Sequence, residues 1–162
     1  MTTRINAASY IKSGLGQAML ALQREVETSG LEHTLLELVK LRTSQINGCA
    51  YCLDMHSKDA RAEGETEQRL YTLDAWHETP FFSPRERAAL AWTEALTLIS
   101  ETHAPDDVFE ELRAHFSERE IADLTLAIGA INAWNRFAIS FRVEVGAYQP
   151  GKHAASGAAA RH

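Results

Sequence analysis

The chain predicts an all-α fold: a helical bundle built on a central helical hairpin that carries a CxxC motif at a helix N-terminus. Three observations point there. Apolar residues recur at helical spacing through most of the chain, strand-like alternation is nearly absent, and both cysteines follow directly on an Asn-Gly break. The first amphipathic stretch runs from Gly16 to Val26 and closes near Ser29 and Gly30. Leu31 to Ile46 is the second, with Leu31, Leu35, Leu36, Leu38, Val39, Leu41 and Ile46 wrapping most of its circumference. A helix apolar on nearly every side belongs in the middle of a bundle. Asn47-Gly48 stops it, glycine being suited to a left-handed cap. A third helix is expected from Cys49 to Glu63, ending at Gly64. A fourth runs from Thr66 to Trp76 and is stopped by Thr79-Pro80. Ser83-Pro84-Arg85-Glu86 is a capping box with proline at the first helical position, opening a helix to Ile99. Pro105 starts another, to Phe116. Ser117-Glu118-Arg119-Glu120 is a second capping box, opening a long helix to Val145. Residues 1–149 are expected to form a single domain. From position 150 to 162 the chain is rich in Ala, Gly and Ser with no apolar face, so a disordered tail is expected.

Composition narrows the function. A chain of 162 residues can bury a core without disulfides or a structural metal. Its formal charge of −6 and the lack of clustered Lys and Arg exclude a phosphate-binding groove, so no nucleic-acid partner is expected. The longest apolar stretch, Leu124 to Trp134, is too short to span a bilayer and is interrupted by Asn132. The N-terminus lacks a basic region followed by an apolar run and a cleavage site. A cytoplasmic location without a membrane partner is the expectation.

The two cysteines are the informative residues. They close too short a loop to stabilise a fold much, which favours a chemical role. In Cys49-Ala50-Tyr51-Cys52-Leu53-Asp54-Met55-His56, positions 49, 52 and 56 share one face of a helix. The free N–H groups at the start of that helix favour an anion. An ordinary cysteine is a few per cent thiolate at pH 7, and a helix start with an imidazole nearby can raise that fraction greatly. His56 can accept a thiol proton and return it to a leaving oxygen. Glu37 lies nine residues before the Asn47-Gly48 turn and His56 eight after it. At 1.5 Å per residue both sit roughly 12–14 Å from the turn, so an antiparallel hairpin brings them to one height. A carboxylate on a largely apolar helix needs a partner or a task, and orienting the imidazole would be one. Zinc held by Cys49, Cys52, His56 and Glu37 is the rival, but a structural site normally has a second close-spaced ligand pair, absent here. No metal and no cofactor are expected. Along the last helix, Trp134 reads as core or subunit interface, and Asn132 and Arg136 as caps for neighbouring helix ends. A short echo, Ile46-Asn47 and Ile131-Asn132, hints at two related hairpins.

Glu37, Cys49, Cys52 and His56 stand in the frame Glu-Leu-Val-Lys-Leu-Arg … Asn-Gly-Cys-Ala-Tyr-Cys … His-Ser-Lys-Asp-Ala-Arg. With Thr79-Pro80-Phe81-Phe82, the Ala88 to Leu98 helix and Asn132-Ala133-Trp134-Asn135-Arg136, it resembles the alkyl hydroperoxidase D-like members of the carboxymuconolactone decarboxylase superfamily. The likeness covers most of Leu35 to Arg142. It implies an all-α fold, trimers or hexamers, and thiol peroxidase or disulfide reductase activity on small organic hydroperoxides. By the same resemblance Cys52 attacks the peroxide, Cys49 condenses with it to a disulfide, an external thiol or dithiol protein reduces that disulfide, and Glu37 and His56 relay protons. Relatives carry histidine where this chain has Tyr51. Position at the helix start favours Cys49 as the first nucleophile instead, so the order stays open. A homo-oligomer is expected on physical grounds as well, because the apolar last helix offers more face than one small bundle covers. Two alternatives remain: a lactone decarboxylase of the same fold, which has no need of two thiols, and a non-enzymatic redox-sensing or assembly protein.

Overall fold

The computed structural model describes residues 2–151, which contain helices and no strand. The tail expected from position 150 onward lies outside the described residues after Gly151. Eight α-helices follow in order: α1 (Gly14–Glu27), α2 (His33–Asn47), α3 (Ala50–Ala62), α4 (Glu67–Thr72), α5 (Pro84–Thr97), α6 (Ile99–Thr102), α7 (Asp106–Arg113) and α8 (Glu118–Phe141). Short 3-10 turns precede α1 (Ala7–Ser9) and continue α4 (Leu73–Glu78).

α2 is the axis of the bundle, as its all-round apolar pattern predicts. It packs against α3, α5 and α8. Leu36, Leu38 and Val39 are buried in full, and nine consecutive-turn positions from Leu35 to Ser44 contribute to its buried surface. Two large clusters divide the core. One joins α1, α2, α5, α7 and α8 through Leu36, Trp92, Leu112, Leu124 and Ile128. The other lies under α3 and α4 through Leu38, Leu41, Leu73, Trp76 and Leu90. Arginine clamps tie the connecting loops to this core. Arg85 holds Glu32 and Glu120 and stacks on the Phe116 ring. Arg69 holds Glu65 and Glu86 over Phe82.

Both predicted capping boxes form, at Ser83/Glu86 and Ser117/Glu120, each with its two reciprocal hydrogen bonds. Several boundaries differ from the sequence reading; α7, for one, ends at Arg113, short of Phe116. Cys49 is the N-cap of α3 rather than its first helical residue, with extended backbone (φ −86°, ψ 93°). The fourth helix tightens into the 3-10 turn after Thr72, with Ala75 off helical geometry. α5 stops at Thr97, and α6 forms a separate short turn. α8 ends at Phe141, because Arg142 adopts a left-handed conformation (φ 52°) and turns the chain back toward α3.

The turn between α2 and α3 is made by Gly48, at φ 68° and ψ 35°, followed by the N-cap Cys49. Nothing lies within 4 Å of a Cβ built there, so its constraint is backbone conformation alone. Gly48→Ala is therefore expected to destabilise by about 1–2 kcal/mol, the cost of a left-handed alanine, and Gly48→Asn by less. Urea unfolding of both variants checks this; equal stability of Gly48→Ala and wild type would mean that the turn relaxes.

Candidate functional site

The α2–α3 hairpin and α8 together enclose both sulfurs. Cys49 and Cys52 are free thiols, 1 % and 2 % exposed, in a small cluster with Ile131 and Ala138 of α8. Tyr51, Trp134 and Val143 pack against this cluster from outside. Trp134 thus lines the sulfur site rather than the bulk core.

Cys49 occupies the position where the first turn of α3 has unpaired N–H groups. The Cys52 thiol and the backbone N–H groups of Tyr51 and Cys52 lie close enough to favour an anion on its sulfur, although the side chain makes no capping hydrogen bond. The thiol of Cys52 does most to lower the Cys49 pKa, burial opposes it, and the two backbone donors add to the lowering; the result is about 7. Cys52 moves the other way. Its hydrogen bond to Cys49, its burial and the neighbouring negative charge all push it up, while Asn135 and Ser44 pull it down. One charge is shared between two sulfurs, and it rests on Cys49. Tyr51 is kept a neutral phenol by burial and by the nearby charges.

Glu37 and His56 meet as the hairpin register predicts. His56 Nδ1 lies 2.9 Å from Glu37 Oε2, and Lys40 Nζ lies 2.7 Å from Glu37 Oε1. All three side chains are buried. Burial pushes the Glu37 carboxyl up, but His56 and Lys40 outweigh it and hold the group below the usual carboxylate range. His56 stands one turn beyond Cys52 on α3, whereas the groups that act on the Cys52 thiol are Cys49, Asn135 and Ser44.

Four further residues join the site that sequence reasoning missed. Asn135 and Ser44 contact Cys52, and a hydrogen-bond chain fixes them. Asn47 Nδ2 donates to Asn132 Oδ1 (3.0 Å) and Asn135 Oδ1 (2.9 Å), and Asn135 Nδ2 donates to Ser44 Oγ (3.1 Å). The repeated Ile-Asn pairs are thus bonded to each other through Asn47 and Asn132. Asp59 and Tyr148 lie on the other flank. The segment after α8 crosses α3, where the Tyr148 hydroxyl donates to Asp59 Oδ1 (2.7 Å) and Lys58 Nζ donates to the Tyr148 carbonyl (3.2 Å). The available signal was polarity on buried faces: Ser44 within an apolar helix, and Asn135 between Ile131 and Ala138.

Glu37, His56 and Asp59 each offer a ligand atom within 4.8 Å of the others, a set that could hold a cation. Lys40 already supplies positive charge to Glu37, and neither sulfur belongs to the set, so the Cys49/Cys52/His56/Glu37 zinc arrangement is not the one assembled. A groove of about 600 Å³ lies between α2, α3 and α4, lined by Leu41, Leu53, Lys58, Leu70 and Leu73. It contains neither sulfur, nor His56, nor Glu37.

Comparison with known proteins places this arrangement. The Carboxymuconolactone decarboxylase family model matches residues 14–95. The uncharacterized protein YdfG of Bacillus subtilis (strain 168) is 43% identical over 140 residues, spanning 86% of this chain and 95% of that protein. Among solved structures, ATU0492 of Agrobacterium tumefaciens, a protein of unknown function provisionally described as an antioxidant defence protein AhpD, aligns with a TM-score of 0.86 at 50% identity. It covers 91% of this chain and 100% of that one. An uncharacterized peroxidase-related protein from Silicibacter sp. TM1040 aligns with a TM-score of 0.73 at 27% identity, over 81% of this chain and 70% of that chain.

The charge on Glu37 has a pH signature. Its folded pKa is lowered, so its contribution to stability is full above the unfolded value of about 4.3 and is lost as pH falls through the lower folded value. Glu37→Gln is expected to cost about 3 kcal/mol at neutral pH, since Lys40 and His56 lose their buried counter-charge. That difference should shrink in acid. A chemical-denaturation series from neutral to acid pH measures it, and a pH-independent difference would contradict the assignment.

Proposed function

This chain belongs to the carboxymuconolactone decarboxylase family, and from that premise we propose that it is a thiol-dependent peroxidase, reducing small organic hydroperoxides through a Cys49/Cys52 dithiol–disulfide cycle. The observation that carries the reading is a pair of free, buried cysteines side by side at a helix start, where the surroundings of Cys49 favour its anion. The names of the solved relatives, an antioxidant AhpD and a peroxidase-related protein, agree with it.

The Cys49 thiolate attacks the terminal peroxide oxygen. The S–O bond forms, the O–O bond breaks, and the alkoxide takes a proton to leave as an alcohol. Cys49 is now a sulfenic acid. Cys52 attacks the Cys49 sulfur, the S–S bond forms, and the hydroxyl departs as water with the proton that Cys52 carried. An external thiol or dithiol protein returns two electrons by thiol–disulfide exchange. This order places the first attack on Cys49, the reverse of the order implied by the resemblance, because the helix start and the Cys52 thiol both stabilise the anion at Cys49. Glu37 orients His56 and holds the charge it would need as a proton carrier. The apolar wall of Tyr51, Trp134 and Val143 favours small apolar hydroperoxides over charged ones. A second copy of the chain would cover the exposed Leu126 and Ile139 on α8, in keeping with a homo-oligomer.

The lactone decarboxylase reading leaves both thiols without a task. Turnover of cumene hydroperoxide with dithiothreitol as reductant separates the two. Wild type should turn over, with a rate that rises as pH is raised through about 7. Cys49→Ser should lose even the first oxidation. Cys52→Ser should lose the disulfide but still form one sulfenic acid per chain, trapped on Cys49 by dimedone and located by mass spectrometry. Full turnover by either variant would remove the redox assignment, and a dimedone adduct on Cys52 in Cys49→Ser would restore the other order.

A further inference from the structure

A dithiol cycle needs two anions in succession, and the structure accounts for the first at Cys49. The second is Cys52, which in the reduced protein is held as a thiol by its hydrogen bond to Cys49 and by the charge beside it. When Cys49 becomes a neutral sulfenic acid, both of those influences disappear. What then faces Cys52 is Ser44 and Asn135.

Their geometry is fixed. Asn135 is 1 % exposed and Ser44 is fully buried, so neither competes with bulk water. Asn135 Oδ1 is occupied by Asn47 Nδ2, which leaves its Nδ2 as the group turned toward Ser44 and the Cys52 sulfur. The Ser44 oxygen accepts that amide N–H, which leaves its own hydrogen for the sulfur. Asn47 is anchored in turn to Asn132, whose Nδ2 donates to the Ile128 carbonyl (3.0 Å) and to Thr97 Oγ1 (3.3 Å). The chain therefore links α5, α8 and α2, and it ends at Ser44 and Asn135 beside Cys52. A chain of four polar side chains that ends in the buried Ser44 and Asn135 beside a thiol is costly to bury unless each member is satisfied, and it fixes the last two firmly.

We propose that the Ser44 hydroxyl and the Asn135 amide, locked by Asn47, form a donor cradle that takes up the negative charge on Cys52 once Cys49 is oxidised. Ser44 and Asn135 are positioning residues for the resolving step. The Cys52 thiolate then forms the S–S bond as the Cys49 S–O bond breaks, the departing hydroxyl taking up the proton released by Cys52 to leave as water. This step rests on the peroxidase reading above, with a hydroperoxide as oxidant. The cradle itself is a property of the folded chain and is testable without one.

The first test uses the Cys49→Ser background, in which Cys52 has no neighbouring thiolate. Thiolate ultraviolet absorbance gives the Cys52 midpoint, and adding Asn135→Ala or Ser44→Ala should raise it by about one pH unit each, the worth of a hydrogen bond to a charged group. Circular dichroism confirms that each variant is folded; Ser44→Ala removes one hydroxyl and serves where Asn135→Ala does not fold. Unchanged midpoints in a folded variant overturn the cradle whatever the enzyme's substrate. The second test is a single turnover of reduced, otherwise wild-type protein with cumene hydroperoxide. Asn135→Ala should slow resolution about tenfold more than it slows Cys49 oxidation, seen as a longer-lived sulfenic acid and more dimedone adduct on Cys49. Equal slowing of both steps overturns the cradle's role in resolution. If wild type does not react with hydroperoxide but the midpoints move, the cradle stands and the peroxidase reading falls.

Discussion

The free N–H groups at the start of α3 are the constraint on which the rest of this structure depends. They lie next to Cys49 because Gly48, in a left-handed conformation, reverses the chain and leaves Cys49 at the N-cap with extended backbone instead of inside the helix. Buried thiols ordinarily stay protonated, because burial disfavours charge; here burial is outweighed by local hydrogen bonds at one sulfur and reinforced at the other. The asymmetry of the pair comes first from the interaction between the two sulfurs, and the helix-start N–H groups beside Cys49 add to it.

Around that pair the protein buries more polar groups than its stability asks for. Glu37, Lys40 and His56 form a paired cluster, and Ser44, Asn47, Asn132 and Asn135 form a chain. Buried charge pairs are commonly no better than apolar residues of the same volume, and they become costly when one partner is lost. The two groups lie on either flank of the cysteine-bearing face of α3, one against α2 and the returning C-terminal segment, the other against α2 and α8. Such placement is intelligible if one flank manages protons and the other manages the charge on sulfur. The surrounding apolar wall then serves to keep water from competing for the same donors.

Much of this architecture was legible in the sequence because its signals are local. Capping boxes at Ser83 and Ser117 mark two helix starts from four residues each, and Gly48 marks the hairpin. The register that joins Glu37 to His56 follows from counting residues on either side of that turn, since helical rise is constant. Three features were not legible, each for a physical reason. The end of α8 depends on Arg142 adopting a left-handed conformation that only tertiary packing makes favourable, and the apolar pattern continues past it to Val145. Tyr148 reaches Asp59 across 89 residues of sequence, a contact no spacing rule contains. Asn135 and Ser44 are short polar side chains whose spacing from Cys52 carries no motif, and only the packing of α8 on the hairpin brings them to the sulfur.

The central claim is that Cys49 carries the charge in the reduced protein and Cys52 does not. Competitive alkylation of wild-type protein with isotope-labelled iodoacetamide over a pH series, read for each cysteine by mass spectrometry, measures it directly. The expected result is a Cys49 midpoint near about 7, with Cys52 protected until much higher pH. Two equal midpoints at the ordinary thiol value of about 8.5 would contradict it, as would Cys52 reacting first.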